Sequence, residues 1–184
     1  MAHVIGGMTM SLDGFVADAD GSADALYPDL EELRDAPYMK ALQDETGAAL
    51  MGRRTFDMAG DPDSYADTYE LQVPIFVVTH TPPPVPPKRN ERLSFTFVPE
   101  GLEAAVAQAV AAAGEQAVSV IGGADLNRQL LAAGLVDELR VDVVPVLLGD
   151  GLRLFEGTGR LALEKLGVDE VGVRTSLRFR VVRP

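Results

Sequence analysis

Twice in this chain an apolar run ends in glycine and passes straight into helical sequence. Ala48-Ala49-Leu50 leads into Met51-Gly52-Arg53-Arg54-Thr55-Phe56, and Val118-Ser119-Val120 leads into Ile121-Gly122-Gly123-Ala124-Asp125-Leu126. Each reads as a buried strand that turns directly into a helix. The turn leaves backbone N–H groups without partners at the helix start, where the dipole favours an anion. Two such junctions could hold the two ends of a nucleotide carrying several phosphates. The first adds the guanidinium groups of Arg53 and Arg54 and the hydroxyl of Thr55, all suited to phosphate oxygens.

The rest of the chain repeats this pattern and then abandons it. Ala2 to Leu12 reads as a strand broken by Asp13-Gly14. Leu30, Leu33, Tyr38, Met39 and Leu42 give a helix interrupted at Pro37, with Asp29, Glu31, Glu32, Asp35 and Asp44 as its solvated charges. The helix that begins at Arg53 is expected to end at Asp61-Pro62-Asp63. Pro74 to Thr79 is a further buried strand, and the prolines from Pro82 to Pro87 make a stiff extended loop after it. Phe95 to Val98 reads as a strand and Glu100 to Ala113 as a helix burying Leu102, Val106 and Val110. The helix after Gly123 buries Leu126, Leu130 and Leu131 and stops at Gly134. Leu139 to Val143 alternates, Val144 to Leu148 is apolar throughout, and near the end Val173, Leu177, Phe179 and Val181 alternate with Arg174, Ser176, Arg178 and Arg180. Strands alternating with helices, then strands alone, predict an α/β fold. Its mainly parallel mixed sheet ends in antiparallel strands and is covered as a three-layer α/β/α sandwich. No repeat or linker divides the chain, so one domain over residues 1–184 is expected.

Composition removes several functions. With 16 Lys and Arg against 28 Asp and Glu the net charge is −12, which argues against nucleic acid or an anionic membrane as the main partner. There are no cysteines, so thiol catalysis and thiolate metal sites are excluded, and the two histidines, His3 and His80, are too few for most zinc sites. The aspartates around Asp18 and Asp20 fail the register of a calcium loop, because Val16 and Tyr27 fall at its first and twelfth places. No metal is expected. No leader or membrane-length apolar run is apparent, and a cytoplasmic address is the default.

Neither a Gly-x-Gly-x-x-Gly turn nor a Gly-x-x-x-x-Gly-Lys-Ser/Thr loop occurs, which removes the ordinary dinucleotide and phosphoryl-transfer signatures. What remains is a cofactor that carries its own chemistry and asks the protein for binding, orientation and exclusion of water. Asp13 is the acidic residue of the loop after the first strand. It could position a substrate, or donate a proton if burial raised its pKa, or simply form a turn with Gly14.

Met51-Gly52-Arg53-Arg54-Thr55, Val78-Thr79-His80 and Ile121-Gly122-Gly123-Ala124 resemble the three NADPH-binding segments of the dihydrofolate reductase fold. Ser11-Leu12-Asp13-Gly14-Phe15-Val16-Ala17 resembles its mobile active-site loop. Gly134 to Leu139, Pro145 to Gly151 and Leu154-Phe155 resemble the riboflavin-biosynthesis reductase branch. The resemblance implies that Gly52, Arg53, Arg54 and Thr55 meet the adenosine-side phosphates. Thr79 and His80 would stand by the 2′-phosphate; the following Thr81 to Pro84 departs from the family in having no adjacent arginine, for which Lys88 and Arg89 further on could substitute. Gly122 and Gly123, joined by a cis bond in relatives, would approach the pyrophosphate, and Ala124, Asp125 and Leu126 would start the helix beneath it, with the Asp125 carboxylate turned away. It implies NADPH-dependent hydride transfer to a ribosylaminopyrimidine phosphate. Reduction of dihydrofolate or another pteridine is the alternative, and nucleotide binding without turnover is an alternative of another class. It implies a homodimer as well, here expected to bury Val141 to Leu148.

Overall fold

Alternation along the central strands sets the layers. In β3 (Thr46–Gly52) of this computed structural model, which describes residues 3–183, Ala48 and Leu50 pack on one side of the sheet, and Ala49 and Met51 on the other. A strand buried on both faces must be apolar along its buried run, and Ala48 to Met51 is. The first side carries α5 (Leu102–Ala113) and α6 (Ala124–Ala132). The second carries α3 (Arg53–Asp57) and α4 (Tyr65–Thr68), whose Phe56 and Tyr65 join a cluster with Phe95 and Phe97. Also on that side lie α1 (Leu30–Arg34) and α2 (Pro37–Glu45). Pro37 is the first residue of α2, where its missing N–H costs nothing, and Ala36 before it is extended.

Eight strands make one sheet in the order β5 (Ser94–Val98), β4 (Pro74–Val78), β3, β6 (Ala117–Val120), β1 (Val4–Ser11), β7 (Glu138–Val144), β10 (Arg174–Val182) and β9 (Ala162–Val171). Pairings from β5 to β7 are parallel, and the β7–β10 and β10–β9 pairings are antiparallel. This is the expected mixed sheet. A two-stranded ribbon joins β2 (Phe15–Ala17) to β8 (Leu152–Arg153). Of the expected first strand, Ala2 lies outside the described residues. No helix among the described residues is long and apolar enough to cross a membrane.

Four local expectations need correction. α5 buries Ala105, Ala109 and Ala113, while Leu102, Val106 and Val110 are only partly buried against the same core. Small side chains let this helix lie close to β3: a Cβ on Gly47 would stand 2.6 Å from the Ala113 carbonyl oxygen. α3 ends at Asp57, a turn before the expected stop. β7 is no edge strand. It lies between β1 and β10, and the chain leaves the sheet after Val144, so Pro145 to Leu148 is loop. The apolar residues of β7 answer to burial inside one protomer, with Val141 only 3% exposed. Lastly, Arg174 and Ser176 are fully buried and Val173 is exposed in the turn before β10, the reverse of the expected alternation, which holds only toward the end of the strand, where Val181 is buried and Arg180 exposed.

Candidate functional site

Parallel strands deliver their carboxyl ends, and the loops that follow, to one edge of the sheet, where α/β proteins commonly place ligands. Here β3, β4, β6 and β1 bring Gly52, Thr79, Gly122 and Asp13 to that edge. The two glycine junctions touch. The Gly52 N–H donates to the Gly122 carbonyl oxygen at 2.8 Å, and the Gly122–Gly123 bond is cis. Gly122 has φ of +136°, a region that side chains rarely tolerate, and a Cβ there would meet Thr55 Cγ2 at 2.8 Å and Oγ1 at 2.9 Å. Thr55 thus stands against the Gly-Gly turn. α6 begins at once with no side-chain cap. Its first backbone bond runs from the Asn127 N–H to the Gly123 carbonyl, so the amides of Ala124, Asp125 and Leu126 start the helix without intrahelical partners.

The side chains of Ala124 and Leu126 are in the core, so these residues can offer a ligand their backbone only. Asp125 is exposed; its carboxylate accepts from Gln129 Nε2 at 2.7 Å and lies 3.7 Å from Arg128, along its own helix. Arg53 Nε bonds Asp57 at 2.9 Å, and Arg53 Nη1 donates to the Thr81 carbonyl, which draws the loop after β4 to the first junction. Arg54 and His80 are exposed. Thr79 is buried, and its hydroxyl is taken up locally by the N–H and carbonyl of Thr81. Lys88 pairs with Asp67 at 2.8 Å.

Asp13 ties loops together. It accepts from the Ser11 hydroxyl at 2.5 Å and from the N–H groups of Leu148 at 3.1 Å and Gly149 at 2.7 Å. The Ser11 bond, supported by those amides against a smaller effect of burial, holds its carboxyl down at about 2. A raised pKa was the condition for proton donation, and the shift goes the other way.

Beside the second junction lies a cavity of about 250 Å³. Ile121, immediately before Gly122, lines it together with Gly7 and Thr9 of β1. Its floor is a registered row across three strands, Thr9 of β1 against Asp142 of β7 against Ser176 of β10. Above that row stands Tyr38 of α2, whose hydroxyl donates to both Asp142 oxygens at 3.1 Å and accepts from Ser176 at 3.5 Å. Burial, and then the Asp142 charge, push the Tyr38 phenol up to about 12. Arg174 bonds Asp29 through Nε at 3.3 Å, reaches Thr9 Oγ1 at 3.4 Å and lies over the Tyr27 ring. Arg140 grips both Glu45 oxygens, at 2.7 and 2.9 Å, and Glu138 as well. That grip holds the Glu45 carboxyl below its ordinary value.

A family model for the RibD C-terminal domain matches residues 2–177. The chain belongs to the RibD C-terminal domain family. Among curated proteins it is similar to YwjB of Bacillus subtilis, itself uncharacterized, at 26% identity over 94% of both chains. Among solved structures it is similar to a protein of Shewanella sp. PV-4 provisionally assigned to riboflavin biosynthesis, with 25% identity, full coverage of both chains and a TM-score of 0.78. The riboflavin biosynthesis reductase Rib7 of Saccharomyces cerevisiae matches over 98% of this chain and 90% of its own, at 15% identity and a TM-score of 0.62. Dihydrofolate reductase of Enterococcus faecalis, solved with NADP(H), matches over 97% and 96%, at 15% identity and a TM-score of 0.61. The fold is that of dihydrofolate reductase, as the resemblance implied.

Several residues that shape this RibD C-terminal domain's cleft escaped sequence reading. In sequence Asp29 reads as a solvated helix charge, yet its side chain is 13% exposed and pairs with Arg174. Tyr38, Asp142 and Ser176 carried no motif. Asn127 is fully buried; its Oδ1 accepts from the Gly7 N–H at 2.7 Å, and its Nδ2 donates to the Gly123 carbonyl at 3.2 Å and, more weakly, to the Gly7 carbonyl at 3.4 Å. One signal was available. An asparagine four residues into an apolar helix stripe is a buried polar group that must find partners.

Proposed function

We propose that this chain is an NADPH-dependent reductase acting on a ribosylaminopyrimidine phosphate of riboflavin synthesis. The observation that carries the reading is the contact between the two glycine junctions. It joins Thr55, the uncapped start of α6 and the Arg53-bound loop after β4 in one cleft, and the cavity opens at Ile121 beside it. The residues fit a dinucleotide. Bare glycine backbone at Gly52, Gly122 and Gly123 permits close approach, and the amides opening α6 suit a pyrophosphate. Arg54 and His80 are free to meet the adenosine end, while Arg53 holds the loop and keeps part of its guanidinium for phosphate. Thr79 serves by shaping the turn that presents His80. A reduced nicotinamide supplies hydride when bound. The protein's part is to align it with an acceptor in the cavity and to exclude water. Asp13 acts as an acceptor that docks the loop after β1, and a proton for the product comes from another source.

The test is NADPH oxidation with 5-amino-6-(5-phosphoribosylamino)uracil and with dihydrofolate, each offered alone. Turnover of the first is expected. Turnover of dihydrofolate only would move the reading to pteridine reduction. NADPH binding with neither substrate oxidised would make the chain a nucleotide-binding protein.

A further inference from the structure

The charges around the cavity do not balance evenly. Arg174 is matched by Asp29, Arg140 faces two carboxylates, Glu45 and Glu138, and Glu70 on the cavity wall is matched by Arg34. Asp142 is different. It lines the cavity, it is half-buried, and among the described residues no cation pairs with it. Its one side-chain donor is Tyr38, and Ser176 donates to Tyr38 in turn, so the hydrogen bonds of this row converge on the Asp142 carboxylate. An ionised carboxylate accepts at about four lone-pair positions, and one phenol proton leaves most of them open. A half-buried carboxylate so little satisfied favours a ligand that brings donors.

The remaining wall is apolar or flat: Leu33, Met39 and Leu42 from the helices, Ile5 and Ile121 from the strands. At about 250 Å³ the cavity is below the range of roughly 300–1,000 Å³ that takes whole drug-sized ligands. It has room for a ring. There is no uncommitted cation on its wall to receive a phosphate, since both arginines are already neutralised.

We infer that Asp142 anchors the hydride acceptor by taking N–H donors from an uncharged ring seated in this cavity, and that any phosphate on the acceptor stays outside it. The inference rests on the reductase reading. Tyr38 is a positioning residue that fixes the carboxylate.

Calorimetric titration of the protein, with and without saturating NADP⁺, tests this with 5,6-diaminouracil as a phosphate-free, N–H-rich probe. Its 1,3-dimethyl derivative, with ring N–H groups blocked, is the control. The probe should bind and the dimethyl compound should bind more weakly. Asp142→Asn, which replaces an acceptor-only group with one that also donates, should weaken the probe by about tenfold or more. Ribose 5-phosphate should not displace it. If Asp142→Asn does not fold, Tyr38→Phe decides, with weaker probe binding expected and unchanged binding overturning the inference. Equal binding of the probe to wild type and Asp142→Asn would also overturn it, as would displacement by ribose 5-phosphate. NADPH affinity measured in parallel separates the two readings. NADPH binding with an indifferent Asp142→Asn sinks the anchor and keeps the reductase. Probe binding that depends on Asp142, without NADPH binding, keeps the ring site at Asp142 but sinks the reductase, and with it the hydride-acceptor role.

Discussion

Arg174 is a large side chain with no exposed surface, and its charge is tolerated because Asp29 reaches it from the start of α1. Removing one member of such a pair leaves a buried charge alone. Arg174→Met should lower stability by about 3–5 kcal/mol in urea unfolding. The double variant Asp29→Leu/Arg174→Met should recover more than half of that loss, because an apolar pair of similar volume carries no desolvation cost. A double variant as unstable as the single would show that packing, and not charge, is at stake. The sequence hid this pair for a physical reason. Alternation in the last strand was read with its apolar residues inward, but the face of β10 toward α1 and α2 is polar where the cavity interrupts the core. The same interruption hid Tyr38 and Asp142. By contrast, Gly52, Gly122 and Gly123 were legible, because close backbone approach selects glycine by itself.

At the scale of elements, the loop after β1 and the loop after β7 are held together through Asp13. Its folded pKa of about 2 lies below the ordinary aspartate value of 3.8, so the stabilisation is complete above roughly pH 4 and is lost as pH falls through about 2. The amide resonances of Leu148 and Gly149 should therefore titrate with a midpoint near 2, and Asp13→Asn should shift both at neutral pH. A midpoint near 3.8 would mean that the bonds are not kept in solution. Sequence pattern recovered the alternation of strands and helices up to β7, because the central strands are short and mostly apolar, but it missed β9, whose exposed Ala162–Val171 stretch carries Glu164, Lys165, Asp169 and Glu170. It misplaced the edge: Val144 to Leu148 reads as one apolar strand, whereas Pro145 takes the chain out of the ladder.

At the scale of the whole molecule, one uncovered surface runs along the edge of the sheet. β9 ends the sheet, its ten residues are almost all exposed, and Leu163, Leu166 and Val168 stand in water with Val182 of β10. Glu164, Lys165, Asp169 and Glu170 share the strand, yet exposed apolar side chains gathered at one edge mark an interaction surface. We propose that a second copy covers β9, and not Val141 to Leu148 as sequence suggested. Light scattering should report twice the chain mass, and Val168→Lys should halve it without loss of helical signal. A monomer in the wild type would refute the dimer. The same sheet also has an internal gauge. Asn127 holds both the N–H and the carbonyl of Gly7, and a Cβ at Gly7 would fall 1.5 Å from the Arg140 carbonyl oxygen. A slip of β1 by two residues would preserve which side chains face which layer, so hydrophobic pattern alone would permit it. That slip would bring Thr9 or Ile5 to the position where no Cβ fits. The register of β1 against β7, which apolar pattern leaves open to such a slip, is thus keyed by a single glycine.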